Sequence, residues 1–254
     1  MPIPFSILIR SYNEVDRIGR TLDAVKKLGQ EIVVIDSGSN DGTVALAESK
    51  GARVIHNAWQ GFGPQRSFGE IQCRNDWIFY IDADEVPTPE LIAEILALFA
   101  KSTPPHVAYD IRNTMVLPGD QKPHPFSDVR KVMRLTDRRY ARVTQDPSWD
   151  KVVVEPGKTT GVLAGRQWHY CFRNFSHAIS KISYTSSLAA ETQANKPRSL
   201  LFLRLVIELP LEFLKFYLIR AFIFGGWKGF AFSVVQSFGR FSRILKMVEK
   251  AEKR

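Results

Sequence analysis

Two short apolar runs that end on carboxylates constrain this chain more than any other feature. EIVVIDS (31–37) and DWIFYIDAD (76–84) are dominated by branched and aromatic residues, the composition of buried strands, and they deliver Asp36 and Asp82-Ala83-Asp84-Glu85 to their carboxyl ends. FSILIR (5–10) and RVIH (53–56) predict two more strands. Between them the period changes. Val15, Ile18, Leu22, Val25 and Leu28 recur at spacings of three and four, the mark of a helix with one buried face, and Gly29 stands where its C-cap belongs. Asp41-Gly42-Thr43, with Asp41 as N-cap, opens a helix over 44–50 closed by Gly51, and Thr88-Pro89-Glu90 opens another over 90–100. Strands alternating with helices predict a mostly parallel sheet, with ligands held at the carboxyl ends of its strands. If the fourth strand runs on through Ala83, Asp82 and Asp84 share one side of it.

With 254 residues, 44% of them apolar, the chain can bury a substantial core, which excludes disorder for its bulk. Collagen, coiled-coil and solenoid readings find no periodic support. Cys73 and Cys171 suit neither a disulfide framework nor a paired metal site, the usage of a reducing compartment. Arg10 interrupts the first apolar run before it reaches signal-peptide length, so no export signal is expected. The net charge of +9 is uneven: residues 1–195 carry +1 and residues 196–254 carry +8, together with nine of the 17 Phe. A domain boundary is therefore expected near Asn195-Lys196-Pro197, separating domain 1–195 from extension 196–254.

The usual phosphate loops are missing. Gly61-Phe62-Gly63 continues into Pro64-Gln65-Arg66 without completing GxGxxG, and no GxxxxGK[ST] occurs. Carboxylates at strand ends offer another device, binding ribose hydroxyls and a divalent cation that neutralises a diphosphate.

SYNE (11–14), VIDSGSNDGT (34–43), WQGFGPQRS (59–67) and DWIFYIDADE (76–85), in this order, resemble the family 2 inverting glycosyltransferases. DSGSxDGT, GFGPQR and DADE are most similar to the branch that adds glucose to the lipopolysaccharide inner core. The resemblance is densest over residues 4–100 and continues through Arg130 to Leu135 and GVLAGRQWHY (161–170). It implies an α/β GT-A fold, a Rossmann-like mixed sheet flanked by helices that binds a nucleotide sugar, followed by an amphipathic helical extension.

The same resemblance assigns roles. Ser11, Tyr12 and Glu14 belong to the donor-nucleotide motif, Tyr12 as the aromatic over uracil or else a surface tyrosine. Asp36 stands beside base and ribose, Asp82 contacts the ribose, and Asp84 ligates Mn²⁺ or Mg²⁺. Arg66 meets the diphosphate or the base, or faces solvent. His169 is a metal ligand or phosphate contact, or a packed histidine; Glu85 is a further candidate or an ordinary turn residue. Inverting transfer needs a base for the acceptor hydroxyl. Where the branch has His-Glu this chain has Trp149-Asp150, making Asp150 the base and Glu155, before Pro156-Gly157, the substitute. His177 reads as structural. Arg130, Arg134, Arg138, Arg139 and Arg142 form a charged face, or the contacts of an anionic sugar acceptor.

From Ser199 to Phe241 the chain is mostly aliphatic and aromatic, interrupted by Arg204, Glu208, Glu212, Lys215, Arg220 and Lys228; its longest uncharged run, Gly229–Gly239, is 11 residues. That is short of the ~20 a spanning helix requires. A helix with Phe and Trp on one side and Lys and Arg on the other is expected to lie on an anionic membrane surface or to pack on the catalytic domain. Nucleic acid is not expected as a partner, because the Phe sit inside aliphatic runs. The functional expectation is a metal-dependent transferase on the cytoplasmic face of the inner membrane, moving glucose from UDP-glucose to a lipid-linked core saccharide. Transfer to a polyprenyl phosphate or another envelope glycan, and a non-catalytic docking module, are the alternatives. Oligomeric state is left open.

Overall fold

A computed structural model describes residues 4–28, 30–100, 103–127, 129–192 and 197–252. It divides into two compact units, one formed by Met1–Thr114 and Val129–His169, the other by Met115–Asp128 and Tyr170–Arg254. Asn195 and Lys196, at the predicted boundary, and the predicted C-cap Gly29 lie outside the described residues.

The first unit runs β1 (Phe5–Ser11), α1 (Ile18–Val25), β2 (Glu31–Asp36), α2 (Thr43–Ser49), β3 (Arg53–His56), α3 (Phe62–Gln72), β4 (Trp77–Asp82), β5 (Glu85–Pro87), α4 (Pro89–Ala100), β6 (Ala108–Met115), β7 (Val129–Asp137), β8 (Ala141–Val143), β9 (Val152–Val154) and β10 (Thr160–His169). Eight strands form one sheet in the order β3-β2-β1-β4-β7-β6-β10-β5, and β8 pairs with β9. β3, β2, β1 and β4 are parallel, as the early βα alternation requires. β7 is antiparallel to β4 and to β6, and β10 to β5, so the sheet is mixed rather than mostly parallel. Among the described residues no helix intervenes between β6 and β10, and without a crossover helix neighbouring strands pair antiparallel.

The central strands are apolar without interruption because both their faces are covered. Ile7, Ile9, Val34, Phe79 and Ile81 pack with Ile18 and Leu22 of α1 and Leu91 and Ile95 of α4. Leu8, Val33, Ile35, Ile78 and Tyr80 form the other core, with Phe68 of α3 against it. The first helix starts three residues later than the periodicity implies; Val15 precedes it and is exposed. α2 starts at Thr43, whose N–H bonds the Asp41 carboxylate at 3.0 Å, while Gly42 with φ 93° fills the cap position itself. Thr88 caps α4 as expected, accepting from the N–H of Leu91 at 3.4 Å.

The second unit carries α5 (Phe175–Thr192), α6 (Arg198–Leu214), a wide π-helical turn over Lys215–Ile219 and α7 (Gly226–Glu252). Leu201, Ile244, Met247 and Val248 form one of its cores; Leu117, Phe216, Phe222 and Phe232 form another. Among the described residues no helix is long and apolar enough to cross a membrane. The charges of α6 and the turn after it are largely engaged within the unit. Its charged residues Arg204 and Glu208 pair with each other at 2.6 Å, Lys215 lies 2.8 Å from Glu212, and Glu208 is buried. Lys228 bonds Asp120 at 2.5 Å, and the Arg220 guanidinium lies 5.0 Å over the Phe216 ring. His177 stays structural, its Nδ1 accepting from the N–H of Arg173 at 3.1 Å.

Candidate active site

The parallel register aligns Arg10 with Asp82 and Ser11 with Asp36, so the carboxyl ends of β1, β2 and β4 collect the polar residues of the first unit. The fourth strand does not run on. It ends at Asp82, and Ala83-Asp84 form a turn before β5, so Asp82 and Asp84 diverge instead of sharing one strand face. Local bonds hold the turn: Ala83 N–H donates to the Arg10 carbonyl at 3.2 Å, and the Thr21 hydroxyl reaches the carbonyls of Ala83 and Glu85 at 2.9 and 2.8 Å.

Glu85 is the pin. Fully buried, it accepts from Asp82 N–H at 2.9 Å, Asn113 Nδ2 at 2.7 Å and Arg134 Nη2 at 2.6 Å. Burial, with the carboxylates of Asp82 and Asp84 alongside, pushes its own carboxyl up to about 8. The sequence left it between a site candidate and a turn residue; strand alternation gives no hint that Asn113 and Arg134 arrive from β6 and β7 to meet it.

Two carboxylates distant in sequence share one pair of arginines. Asp82 Oδ1 lies 2.7 Å from Arg10 Nη2 and 3.5 Å from Arg66 Nη2; Asp150 Oδ2 lies 3.1 Å from Arg10 Nη1 and 2.9 Å from Arg66 Nε. Arg134 closes the group at 3.1 Å from Asp82 Oδ2. Arg66 is therefore buried in the cluster, not solvent-facing, with its guanidinium 5.1 Å over the Tyr80 ring. The Nε of Arg134 is buried without a hydrogen-bond partner among the described residues, and the Nη2 of Arg66 has no hydrogen bond beyond its 3.5 Å ion pair with Asp82. Donors left in that state are costly unless an anion completes them.

The loop carrying Asp150 is seated by GFGPQR. Phe62 and Gly63 N–H groups, at the start of α3, donate to the carbonyls of Pro147 and Asp146 at 2.9 and 3.1 Å. A Cβ on Gly63 would stand 2.1 Å from the Thr144 carbonyl oxygen, so only glycine admits the loop this closely. A cleft of about 490 Å³ opens beside Asp150, lined by Arg66, Arg134, Trp149 and Lys151 among others. Glu155 is exposed in the turn after β9 and does not line it.

Asp84 and His169 meet on the far side of the turn, with Oδ1 to Nε2 at 3.5 Å, and Arg17 Nη1 also lies 3.5 Å from Asp84. Packing around His169 opposes its charge although about a third of the side chain is exposed, but Asp84, with Glu85 and Asp82 behind it, outweighs this and pushes the imidazole up to about 9. One carboxylate and one imidazole are donors that Mn²⁺ accepts. Among the described residues no group of three or more such ligands is assembled.

Of the residues expected at the nucleotide, Ser11 and Asp36 end β1 and β2, and Tyr12 and Glu14 lie in the loop after β1. Ser11 Oγ donates to Asp36 at 3.0 Å, and Asp36 also accepts from the N–H groups of Gly38 and Ser39 at 2.9 and 2.7 Å. Asp36 thus shapes the loop after β2, a role the sequence did not distinguish from ribose contact. Tyr12 is exposed beside it. Glu14 grips Arg17 through Nε at 2.6 Å, a contact that steadies the arginine facing Asp84. Of the late arginines, Arg134 joins the cluster. Arg139 bonds Asp137 at 2.6 Å, Arg138 the Glu70 carbonyl at 2.6 Å, and Arg130 and Arg142 are exposed. Arg10 and Arg17 went unmarked in the sequence, although both stand at the end of a strand or start of a helix next to a named motif.

Residues 6–153 match glycosyl transferase family 2. A glycosyltransferase of Rickettsia felis is 34% identical over 252 residues, covering 96% of this chain and 89% of that protein. The chain belongs to glycosyl transferase family 2, and its mixed sheet is the GT-A architecture. Rhizobium meliloti LpsC, a lipopolysaccharide core biosynthesis glycosyltransferase, is 28% identical over 223 residues, 85% of this chain and 81% of LpsC. Glucosyl-3-phosphoglycerate synthase from Mycobacterium tuberculosis, solved with Mn²⁺, UDP and glucosyl-3-phosphoglycerate, is 21% identical with a TM-score of 0.38 over 45% of this chain and 44% of that one.

Proposed function

We propose that the chain is an inverting hexosyltransferase that moves glucose from UDP-glucose onto a lipid-linked saccharide of the lipopolysaccharide core, at the inner face of the cytoplasmic membrane. The observation that supports it most is the shared arginine pair: Asp82, from the acidic turn, and Asp150, from a loop 68 residues on, both contact Arg10 and Arg66. Donor-side and acceptor-side carboxylates then stand on either side of the cations that a leaving diphosphate needs. The core saccharide as acceptor rests on the likeness to LpsC.

In this reading Ser11, Tyr12, Glu14 and Asp36 shape the nucleotide's seat, Asp82 takes the ribose, and the guanidinium groups of Arg66 and Arg134, which line the cleft, meet the phosphates. Asp84 and His169 would hold Mn²⁺ or Mg²⁺, which when bound neutralises charge on the leaving diphosphate. An acceptor in the cleft presents its hydroxyl to Asp150, which removes the proton as the oxygen attacks the anomeric carbon opposite the diphosphate. Trp149, exposed at the rim of the cleft, offers a face for a sugar ring. The test is a panel of nucleotide sugars with and without Mn²⁺, scored by diphosphate release and then by product linkage. UDP-glucose should turn over only with metal; nucleotide binding with no turnover on any donor refutes the reading.

A further inference from the structure

Helix α6 turns an apolar stripe outward and ion pairs inward, the reverse of a helix that faces water. On α6 and the π turn that follows, Leu200, Leu203, Ile207, Leu211, Leu214 and Leu218 recur at spacings of three and four, and all are exposed. Val206 beside them is 78% exposed and Ile219 82%. About a quarter turn away, the stripe Leu201, Arg204, Glu208, Glu212 and Lys215 holds the charges that follow Arg198. Glu208 is only 6% exposed, and it and Glu212 lie 3.9 Å from Arg243 and Arg240 of α7. On α7 a second exposed stripe runs through Trp227, Phe230, Val234 and Phe238, with Trp227 at 70%. In water, apolar groups go inward and ions outward, and an exposed apolar surface of this extent marks a docking site. Charges turned inward onto partners, with aliphatic side chains outside, is the arrangement a hydrocarbon medium selects.

We propose that the outer stripes of α6 and α7 insert into the surface of an anionic lipid bilayer, side chains first, without crossing it. At 17 residues α6 is about 25 Å long and interrupted by its inward charges, so lying in the interface suits it. Charge chooses between bilayer and a second copy. Residues 196–254 carry +8, which repels a like surface and complements acidic lipid headgroups. The contact is led by apolar side chains, since Lys215 and Lys228 are engaged with Glu212 and Asp120. The inference extends the reading of a membrane-confined acceptor, on which its biological sense rests; its test does not pass through transfer, so either can fail alone.

The experiment is flotation of the full chain with vesicles of phosphatidylcholine and of phosphatidylcholine with phosphatidylglycerol, at low and high salt. The parent should float with the anionic vesicles and keep most of that binding at high salt, because Debye screening weakens headgroup attraction and leaves insertion. Leu203→Gln, Val206→Gln and Ile219→Gln combined should weaken partitioning at least about tenfold, each removing a buried-in-lipid side chain, with an unchanged circular-dichroism spectrum. Lys215→Gln with Lys228→Gln should change it much less. If the triple variant floats like the parent, or if the parent ignores both vesicles and sediments as a dimer that the triple variant dissolves into monomer, the proposal is wrong. Loss of folding in the triple variant is guarded by Trp227→Ser alone, which should weaken flotation severalfold; parent-like flotation there also overturns it.

Discussion

The two units of this chain dispose of their charges in opposite ways. In the first, apolar side chains fill both faces of the sheet while arginines and carboxylates gather at its strand ends beside an open cleft. In the second, Arg204, Glu208, Glu212 and Lys215 turn to one another and to α7, and Leu, Val and Ile face out. The difference teaches where charge serves chemistry and where it serves assembly. Among the described residues both clusters leave buried guanidinium nitrogens without a hydrogen bond, Arg66 Nη2 and Arg134 Nε in the first and Arg243 Nε in the second; what separates them is that the first borders an open cleft and the second lies between two helices.

The comparison breaks most sharply on function. Asp84→Ala should abolish transfer while leaving the melting temperature near the parent's, because a cation ligand and its charge stabilisation, worth several kcal/mol or ~10³-fold, are lost. Full activity of the parent in EDTA would refute metal dependence. Asp150→Asn should cut the turnover number by ~10²–10⁴-fold with donor binding little changed, and Glu155→Gln should match the parent. The reverse pattern in steady-state kinetics would move the base to Glu155.

In the second unit the effect should fall on stability instead. Glu208→Ala leaves Arg204 facing a buried gap and should cost ~3 kcal/mol in denaturant unfolding with turnover of the folded protein unchanged. An activity loss without a stability loss would contradict the assembly role. Gly63→Ala forces the Asp150 loop off the start of α3 and should cost ~1–3 kcal/mol, together with a fall in turnover that no pocket residue has been altered to cause. Smallest of all, Val206→Gln should shift stability by no more than ~0.5 kcal/mol, since that side chain has no packing to lose.

Strand and helix order over residues 5–100 was legible because local period carries it: EIVVID and WIFYID cannot be other than buried strands between amphipathic segments. The acidic ends of those strands, and the family they resemble, were legible for the same reason. What followed β4 was not. Whether the chain continues straight past Asp82 depends on Glu85 finding Arg134 and Asn113, which come from strands 28 and 49 residues on. Local sequence holds no record of such meetings. Arg10 likewise reads as a charge that interrupts an apolar run, and becomes a site residue only when register sets it beside Asp82 and a distant loop brings Asp150.

The basic, aromatic composition of the last 59 residues was fixed in the chain, but the side each charge faces was decided by packing. Composition counts residues; it does not say which stripe of α6 meets α7. Burying Glu208, with Glu212 half-buried beside it, is tolerable because Arg204, Lys215, Arg240 and Arg243 arrive near them, and that compensation is a property of two helices together. Local periodicity therefore determined the elements, and long-range electrostatics and close packing determined which of their residues form a site, a staple or an exposed surface.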